Sequence, residues 1–382
     1  MHRLLLLLIA IGTALASASS HAADIETKAR QAFMIEATTG TVLLEKNADE
    51  IMPPASLAKL MTMEVVFDAL KRGEIAMDTL YSVSEHAWRT GGAPSGTSTM
   101  FAALKSQVSV RDLIQGVVVQ NANDGCIILA EGMTGLEREF AERMTRRARE
   151  LGLPKSTFAN STGLPDPGNL MTLREIALVA RQLQVAYPEF YSYYAQPEFE
   201  WNKILQRNRN PLLAFDIGVD GVGTGFAEGS GYSIVSSIDR DGKRLILALG
   251  GLASDKERTE EAKRVLEWGI ANFSSRRIFA AGEVIGQASV YGGEVRSVDL
   301  IAKEPVDIFV AVDNPERISA RIIYSWPLNA PVEADRQVGT LRVLSGNRLL
   351  REVPLYTASA IAVGGLSSRA LDALQELLFF WL

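Results

Sequence analysis

Ser56-Leu57-Ala58-Lys59 is the one Ser-x-x-Lys tetrad in the 382-residue sequence. Residues three apart on a helix share a face, with Cβ atoms about 5–6 Å apart, so a hydroxyl and an amine can meet there. A serine hydroxyl is a weak nucleophile until a neighbouring base takes its proton. A lysine amine becomes that base when burial lowers its pKa towards neutrality, and the pair can then attack a carbonyl without a histidine. Taken alone, the tetrad more readily fits a helix-capping serine and a solvated lysine, because roughly one or two such matches arise by chance in a chain this long.

Other chemistry has little to work with. The histidines are His2, His21 and His86, and the single cysteine is Cys126. No His-rich zinc site can be assembled, so no metal is expected. A Ser-His-Asp triad would have to use His86, which lies in Val83-Ser84-Glu85-His86-Ala87-Trp88 without a ligand set and reads as a surface residue. Cys126 heads the apolar run Ile127-Ile128-Leu129-Ala130 and reads as a buried structural thiol. Gly221-Val222-Gly223-Thr224-Gly225 has neither the Gly-Lys-Ser/Thr ending of a P-loop nor a dinucleotide fingerprint. It reads as a sheet-edge strand, and no cofactor is expected. Asp166 and Glu228 could form an acid pair of the glycosidase kind, though nothing in the sequence sets their separation.

The elements that must position Ser56 and Lys59 follow from hydrophobic patterning. Met1-His2-Arg3, a leucine-rich centre and small residues up to Ala23 read as a secretory leader over 1–23. Without Arg3, 38 Lys+Arg face 45 Asp+Glu, a charge of about minus seven that makes nucleic acid an unexpected partner. The remaining length suggests two domains. In the first, 24–275, a hairpin (Ala32–Glu36, Val42–Leu44) precedes a helix from Ser56 with a buried stripe of Leu57, Leu60, Met61, Val65 and Leu70. Helical patterns follow over 109–119, 125–133, 136–151 and 172–185, the last opened by a Thr172/Glu175 capping box. Strands at 232–237 and 244–249 and a helix over 257–272 close the unit. The terminal strands can share one sheet, which makes the class α+β. The second domain, 276–362, alternates by twos and reads as a small β-sandwich. The end, 366–382, is an amphipathic stretch with Leu371, Leu374, Leu378 and Trp381 at helical spacing. It can lie at a membrane interface or fold back on its own domain.

Further segments give Ser56 and Lys59 their context. Ser-x-x-Lys with Ser-Asp-Asn and Lys-Thr-Gly is the motif set of β-lactamases and penicillin-binding proteins. Asn121-Ala122-Asn123 and Gly223-Thr224-Gly225 stand at suitable distances for the second and third members. Met52 to Thr62, Gly91 to Gly96, Ser161 to Pro167, Asn208 to Leu213 and Val219-Asp220-Gly221 add to the likeness. Together they resemble the D-Ala-D-Ala carboxypeptidase family of low-molecular-mass penicillin-binding proteins. The resemblance implies the transpeptidase fold of penicillin-binding proteins and β-lactamases, an antiparallel sheet with an inserted helical region. It also implies the family's C-terminal β-domain and membrane-associating helix.

Under that resemblance Ser56 is the acylated nucleophile, Lys59 its general base, and Asn121 and Asn123 belong to the second motif. Gly223, Thr224, Gly225 and Phe226 border the substrate, and the Ser56 and Phe226 N–H groups form the oxyanion hole. The implied substrate is a peptidoglycan stem peptide, with β-lactams as covalent inhibitors. The implied location is the periplasm, on the outer face of the inner membrane. Two positions depart from the family: Asn121 stands where it has serine, and Gly223 where it has a lysine that favours the substrate carboxylate. A buried charge-assisted contact contributes about 1.5–3 kcal/mol. Arg258, near where the family places a carboxylate-binding arginine, is the first candidate to replace that cation, with Arg207 or Arg209 beside it. The expectation is a working carboxypeptidase, the alternative a binding or regulatory protein with a degenerate site.

Overall fold

The computed structural model describes residues 25–312, 318–346 and 348–366. The expected leader and the terminal stretch beyond Leu366 lie outside the described residues. The first unit is built on a five-stranded antiparallel sheet of β1 (Gln31–Glu36), β2 (Val42–Lys46), β3 (Val219–Ala227), β4 (Gly231–Arg240) and β5 (Lys243–Leu252), in the order β2-β1-β5-β4-β3. β1 pairs with β2 and with β5, and its six residues are buried because both faces of the sheet are covered there, Phe33 and Ile35 entering one core and Ala32 and Met34 another. The first and last parts of this unit therefore share one sheet, as the sequence layout suggests. The glycine-rich run 221–225 lies on β3, the sheet's edge.

Between β2 and β3 the chain makes its helices: α1 (Lys59–Lys71), α2 (Val110–Gln120), α3 (Asn123–Thr134), α4 (Glu137–Glu150) and α5 (Leu173–Ala186). The helix expected from Ser56 begins as one 3₁₀ turn, Ala55–Ala58, and turns α-helical only at Lys59. The stripe expected on it is also too narrow. Met63, Glu64, Val66 and Phe67 are buried as well, while Leu70 is only half-buried, because α3, α4 and α5 all pack on α1. A helix enclosed on all sides loses its polar face. Thr172 caps α5 by accepting the Glu175 N–H at 3.2 Å. Glu175 turns instead to Ser156 and the Lys155 N–H, so the capping box is only half formed. A last helix, α6 (Asp255–Asn272), packs on β4 and β5, its Ala262, Val265 and Leu266 meeting Ile234, Leu247 and Leu249.

The chain then enters a β-sheet domain through the strand Phe273–Phe279. A two-stranded and a six-stranded sheet there enclose a core that includes Val298, Leu300, Ile308, Leu341 and Leu355.

Glu64 is fully buried on α1 and survives there because Arg147 of α4 grips it twice, Nε to Oε2 at 3.0 Å and Nη2 to Oε1 at 2.9 Å, while the Tyr187 hydroxyl donates at 3.0 Å. Removing one partner of a buried pair leaves an uncompensated charge, at a cost of about 3–5 kcal/mol. Arg147→Ala is expected to lose stability on that scale in urea denaturation, whereas Arg146→Ala, for which no ion pair is recorded among the described residues, is expected to change it by about 0.5 kcal/mol or less.

Candidate active site

Pro53 and Pro54 stiffen the chain ahead of Ala55, which sits at φ 48°, a left-handed conformation that costs a residue with a Cβ about 1–2 kcal/mol. The strained turn delivers Ser56 onto the 3₁₀ turn and Lys59 onto the first position of α1. Lys59 Nζ lies 3.1 Å from Ser56 Oγ and donates to the Thr162 carbonyl at 2.8 Å. The lysine is 4% exposed, and burial pushes its pKa from the ordinary lysine range down to about 8. An amine at that pKa is neutral often enough near neutral pH to accept a proton.

Thr162 was not among the residues expected at the site. It belongs to a tight strap, 160–163, that crosses the nucleophile's turn. The Asn160 side-chain oxygen accepts the N–H groups of Thr162 and Gly163 at 3.2 and 2.8 Å and the Thr162 hydroxyl at 3.0 Å. Gly163 has φ +75°, and a Cβ there would lie 1.8 Å from the Ala55 carbonyl oxygen, so only glycine lets the strap pass so close. The sequence signal was Asn followed by Ser-Thr-Gly, an Asx-type turn former.

A cleft opens beside Ser56 and Lys59, and Asn121, Gly223 and Thr224 line it with them. Asn121 ends α2 in the left-handed conformation at φ 63°, which asparagine tolerates better than most residues. Asn123 opens α3 and is buried; its side-chain nitrogen donates to Thr97 Oγ1 at 2.9 Å and its side-chain oxygen has no protein partner. Gly223 and Thr224 lie on edge strand β3. A Cβ at Gly223 would meet only Leu57 Cδ2, at 3.9 Å, an ordinary van der Waals contact. Gly225 follows against Ser233 and Pro54. Phe226 is exposed, and its ring packs on Tyr232 at 4.6 Å between centroids.

Arg258 is not brought into the cleft. It belongs to α6, is buried, pairs with Asp255 and lies 5.7 Å from the Tyr232 ring centroid. Arg209 is the arginine that lines the cleft, held by Nε donating to Gln120 Oε1 at 3.1 Å and by its backbone N–H donating to the Val119 carbonyl. It has no ion pair among the described residues. Asn208 and Asn210 flank it there, whereas Arg207 does not line the cleft. Asp166 and Glu228 line no part of it either, and Asp166 accepts the N–H of Gly168 within its own turn. Cys126 is buried, with a thiol that burial pushes up to about 12. His86 is half-exposed, as expected of a surface residue.

The comparisons with known proteins agree with this geometry. Residues 16–251 match the family described as D-alanyl-D-alanine carboxypeptidase, and residues 273–363 match the C-terminal domain of penicillin-binding protein 5. The D-alanyl-D-alanine carboxypeptidase DacC of Escherichia coli is 34% identical over 92% of this chain and 89% of its own. DacA of the same organism is 31% identical over 98% and 96%. Among solved structures, penicillin-binding protein 5 from Haemophilus influenzae is similar with a TM-score of 0.80 at 32% identity, covering 89% of this chain and 99% of the other. From the serine and lysine in contact, the sheet that borders them and these likenesses, the chain belongs to the D-alanyl-D-alanine carboxypeptidase family of serine peptidases.

Proposed function

We propose that this chain is a serine-type D-alanyl-D-alanine carboxypeptidase that removes the terminal D-Ala of peptidoglycan stem pentapeptides and that penicillins acylate at Ser56. The observation that carries the reading is the 3.1 Å approach of Lys59 Nζ to Ser56 Oγ inside a buried wall that lowers the lysine pKa to about 8. Neutral Lys59 takes the hydroxyl proton as Ser56 attacks the carbonyl of the last peptide bond. The oxyanion that develops accepts from the Ser56 and Phe226 N–H groups. The lysine returns its proton to the leaving D-Ala amine, and water then attacks the acyl-enzyme with Lys59 as base again. Asn121 and Asn123 hold the peptide, and Thr224 and Arg209 meet its terminal carboxylate. The reading of a degenerate binding protein is not supported: the curated relatives at 31–34% identity are named carboxypeptidases.

The domain plan proposed with it is a leader at 1–23, the peptidase at 24–275, the β-domain at 276–362 and an amphipathic end at 366–382. That plan places the enzyme in the periplasm, with its end resting on the outer face of the inner membrane. No described helix is long and apolar enough to cross a membrane.

Exposure to penicillin is expected to add one drug mass to the protein, and the untreated enzyme to release D-Ala from a pentapeptide; Ser56→Ala is expected to do neither. An adduct that persists in Ser56→Ala, or no D-Ala from the wild type, would sink the assignment. Because only the neutral amine is a base, kcat/KM should rise with pH through about 8 and level off above it; a flat profile from pH 6 to 10 counts against Lys59. Gly223→Lys, whose Cβ is accommodated at 3.9 Å from Leu57, is expected to raise kcat/KM by about tenfold through the added carboxylate contact, with the gain lost on a substrate whose terminal carboxylate is amidated.

A further inference from the structure

The strap that holds Lys59 is itself held from outside the cleft. Glu137, at the start of α4, accepts both the N–H of Ser161 at 3.0 Å and its hydroxyl at 2.7 Å through a single oxygen, Oε1. Its other oxygen, Oε2, lies 2.9 Å from Nε2 of His86, whose Nδ1 is 3.2 Å from the Thr90 hydroxyl. The Ser161 carbonyl accepts from Thr62 Oγ1 on α1 at 2.6 Å, and the next carbonyl, that of Thr162, accepts from Lys59. Ser161 is thereby fixed on both sides of its peptide unit, and a continuous chain of bonds runs from the surface at His86 to the ammonium of Lys59. The chain lies outside the cleft, since neither Glu137 nor Ser161 lines it.

We infer that Glu137 is a positioning residue for Lys59, acting through Ser161 and the Thr162 carbonyl, with His86 orienting its carboxylate. The inference rests on the proposed roles of Ser56 and Lys59 for its consequence in catalysis, but the geometry of the strap stands apart from them. Without Glu137 the strap keeps its bonds to Asn160, Thr62 and the Leu164 N–H but loses both bonds at Ser161, and the Thr162 carbonyl can draw away from Nζ. A displacement of about 1 Å at a reacting group can lower a rate on the order of 100-fold. It also withdraws an acceptor that favours the charged lysine, so the amine becomes easier to deprotonate. The groups facing Lys59 on its other sides are Ser56 on its own turn and Cys126 on α3, whose thiol senses Lys59, Glu137 and Asp124.

The test compares Glu137→Ala, Glu137→Gln and Ser161→Ala in the full chain, with melting temperature as the folding control. A carboxamide oxygen can still accept both Ser161 bonds, so Glu137→Gln is expected to keep most of the activity. Glu137→Ala is expected to lose kcat/KM for D-Ala release by about 100-fold, and Ser161→Ala, which keeps the N–H bond, to fall between them. Independently of turnover, a ¹⁵N-lysine NMR titration, assigned with Lys59→Arg, reads Lys59 directly. Its midpoint should move to lower pH in Glu137→Ala and stay near the wild-type value in Glu137→Gln. If Glu137→Ala does not fold, the same ordering between Ser161→Ala and Glu137→Gln decides. Equal losses in Glu137→Gln and Ser161→Ala, or a Lys59 midpoint that ignores all three substitutions, would overturn the inference. Lys59 midpoints that shift as expected across the variants, in a protein whose wild type releases no D-Ala, would leave the positioning intact and remove the carboxypeptidase reading.

Discussion

The structure depends on keeping one ammonium group almost dry. Lys59 is 4% exposed, and a lysine in that state is tolerable only because its proton is easily lost and because the Ser56 oxygen and the Thr162 carbonyl stand within reach of it. Each surrounding element bears on that condition. Helices α3, α4 and α5 close around α1 and exclude water. The edge strand β3 borders the cleft through Gly223 and Thr224. The 160–163 strap crosses where a Cβ could not, and supplies the carbonyl. The strained Ala55 turn sets the serine on the same side as the amine, so the cost of the turn and the cost of dehydrating the lysine are met at the same place, as is common at functional sites.

A second buried charge on α1, Glu64, is handled in the opposite way. Lys59 sits beside neutral groups and is left able to change its charge. Glu64 is held in an ion pair by the two-pronged grip of Arg147 and also accepts from the Tyr187 hydroxyl. One helix thus carries a titrating site near one end and a buried, bidentate ion pair a turn further on, and the difference lies in whether a guanidinium is present.

Much of this was legible in the sequence because it is written in local pattern. The Ser-x-x-Lys spacing predicts the contact, the apolar residues in 232–237 and 244–249 predict two strands, and the glycine-rich run 221–225 reads as the sheet edge that it is. Resemblance added Asn121, Gly223 and Thr224, which line the cleft, and Asn123, Gly225 and Phe226, which do not. What could not be read were relations that depend on tertiary packing. Arg258 is at a suitable sequence distance, yet α6 carries it to Asp255 and Tyr232, while Arg209 reaches the cleft because its loop bonds to the end of α2. The stripe on α1 was drawn too narrow because periodicity records one neighbouring surface and the helix has several. Thr162 takes part through its backbone carbonyl, which no side-chain pattern reveals.

The position of β3 at the margin of the sheet has a consequence for recognition. One side of its backbone pairs with β4, and the other is left to whatever extended chain comes alongside. A ligand that binds by adding itself as a further strand is read mainly through its main chain, with side chains sampled at alternate residues. Discrimination then falls on what lies at the end of that strand: its handedness, its free carboxylate and the small size of its last residues. An enzyme built this way can accept wall precursors that differ along their length while remaining strict about their terminus.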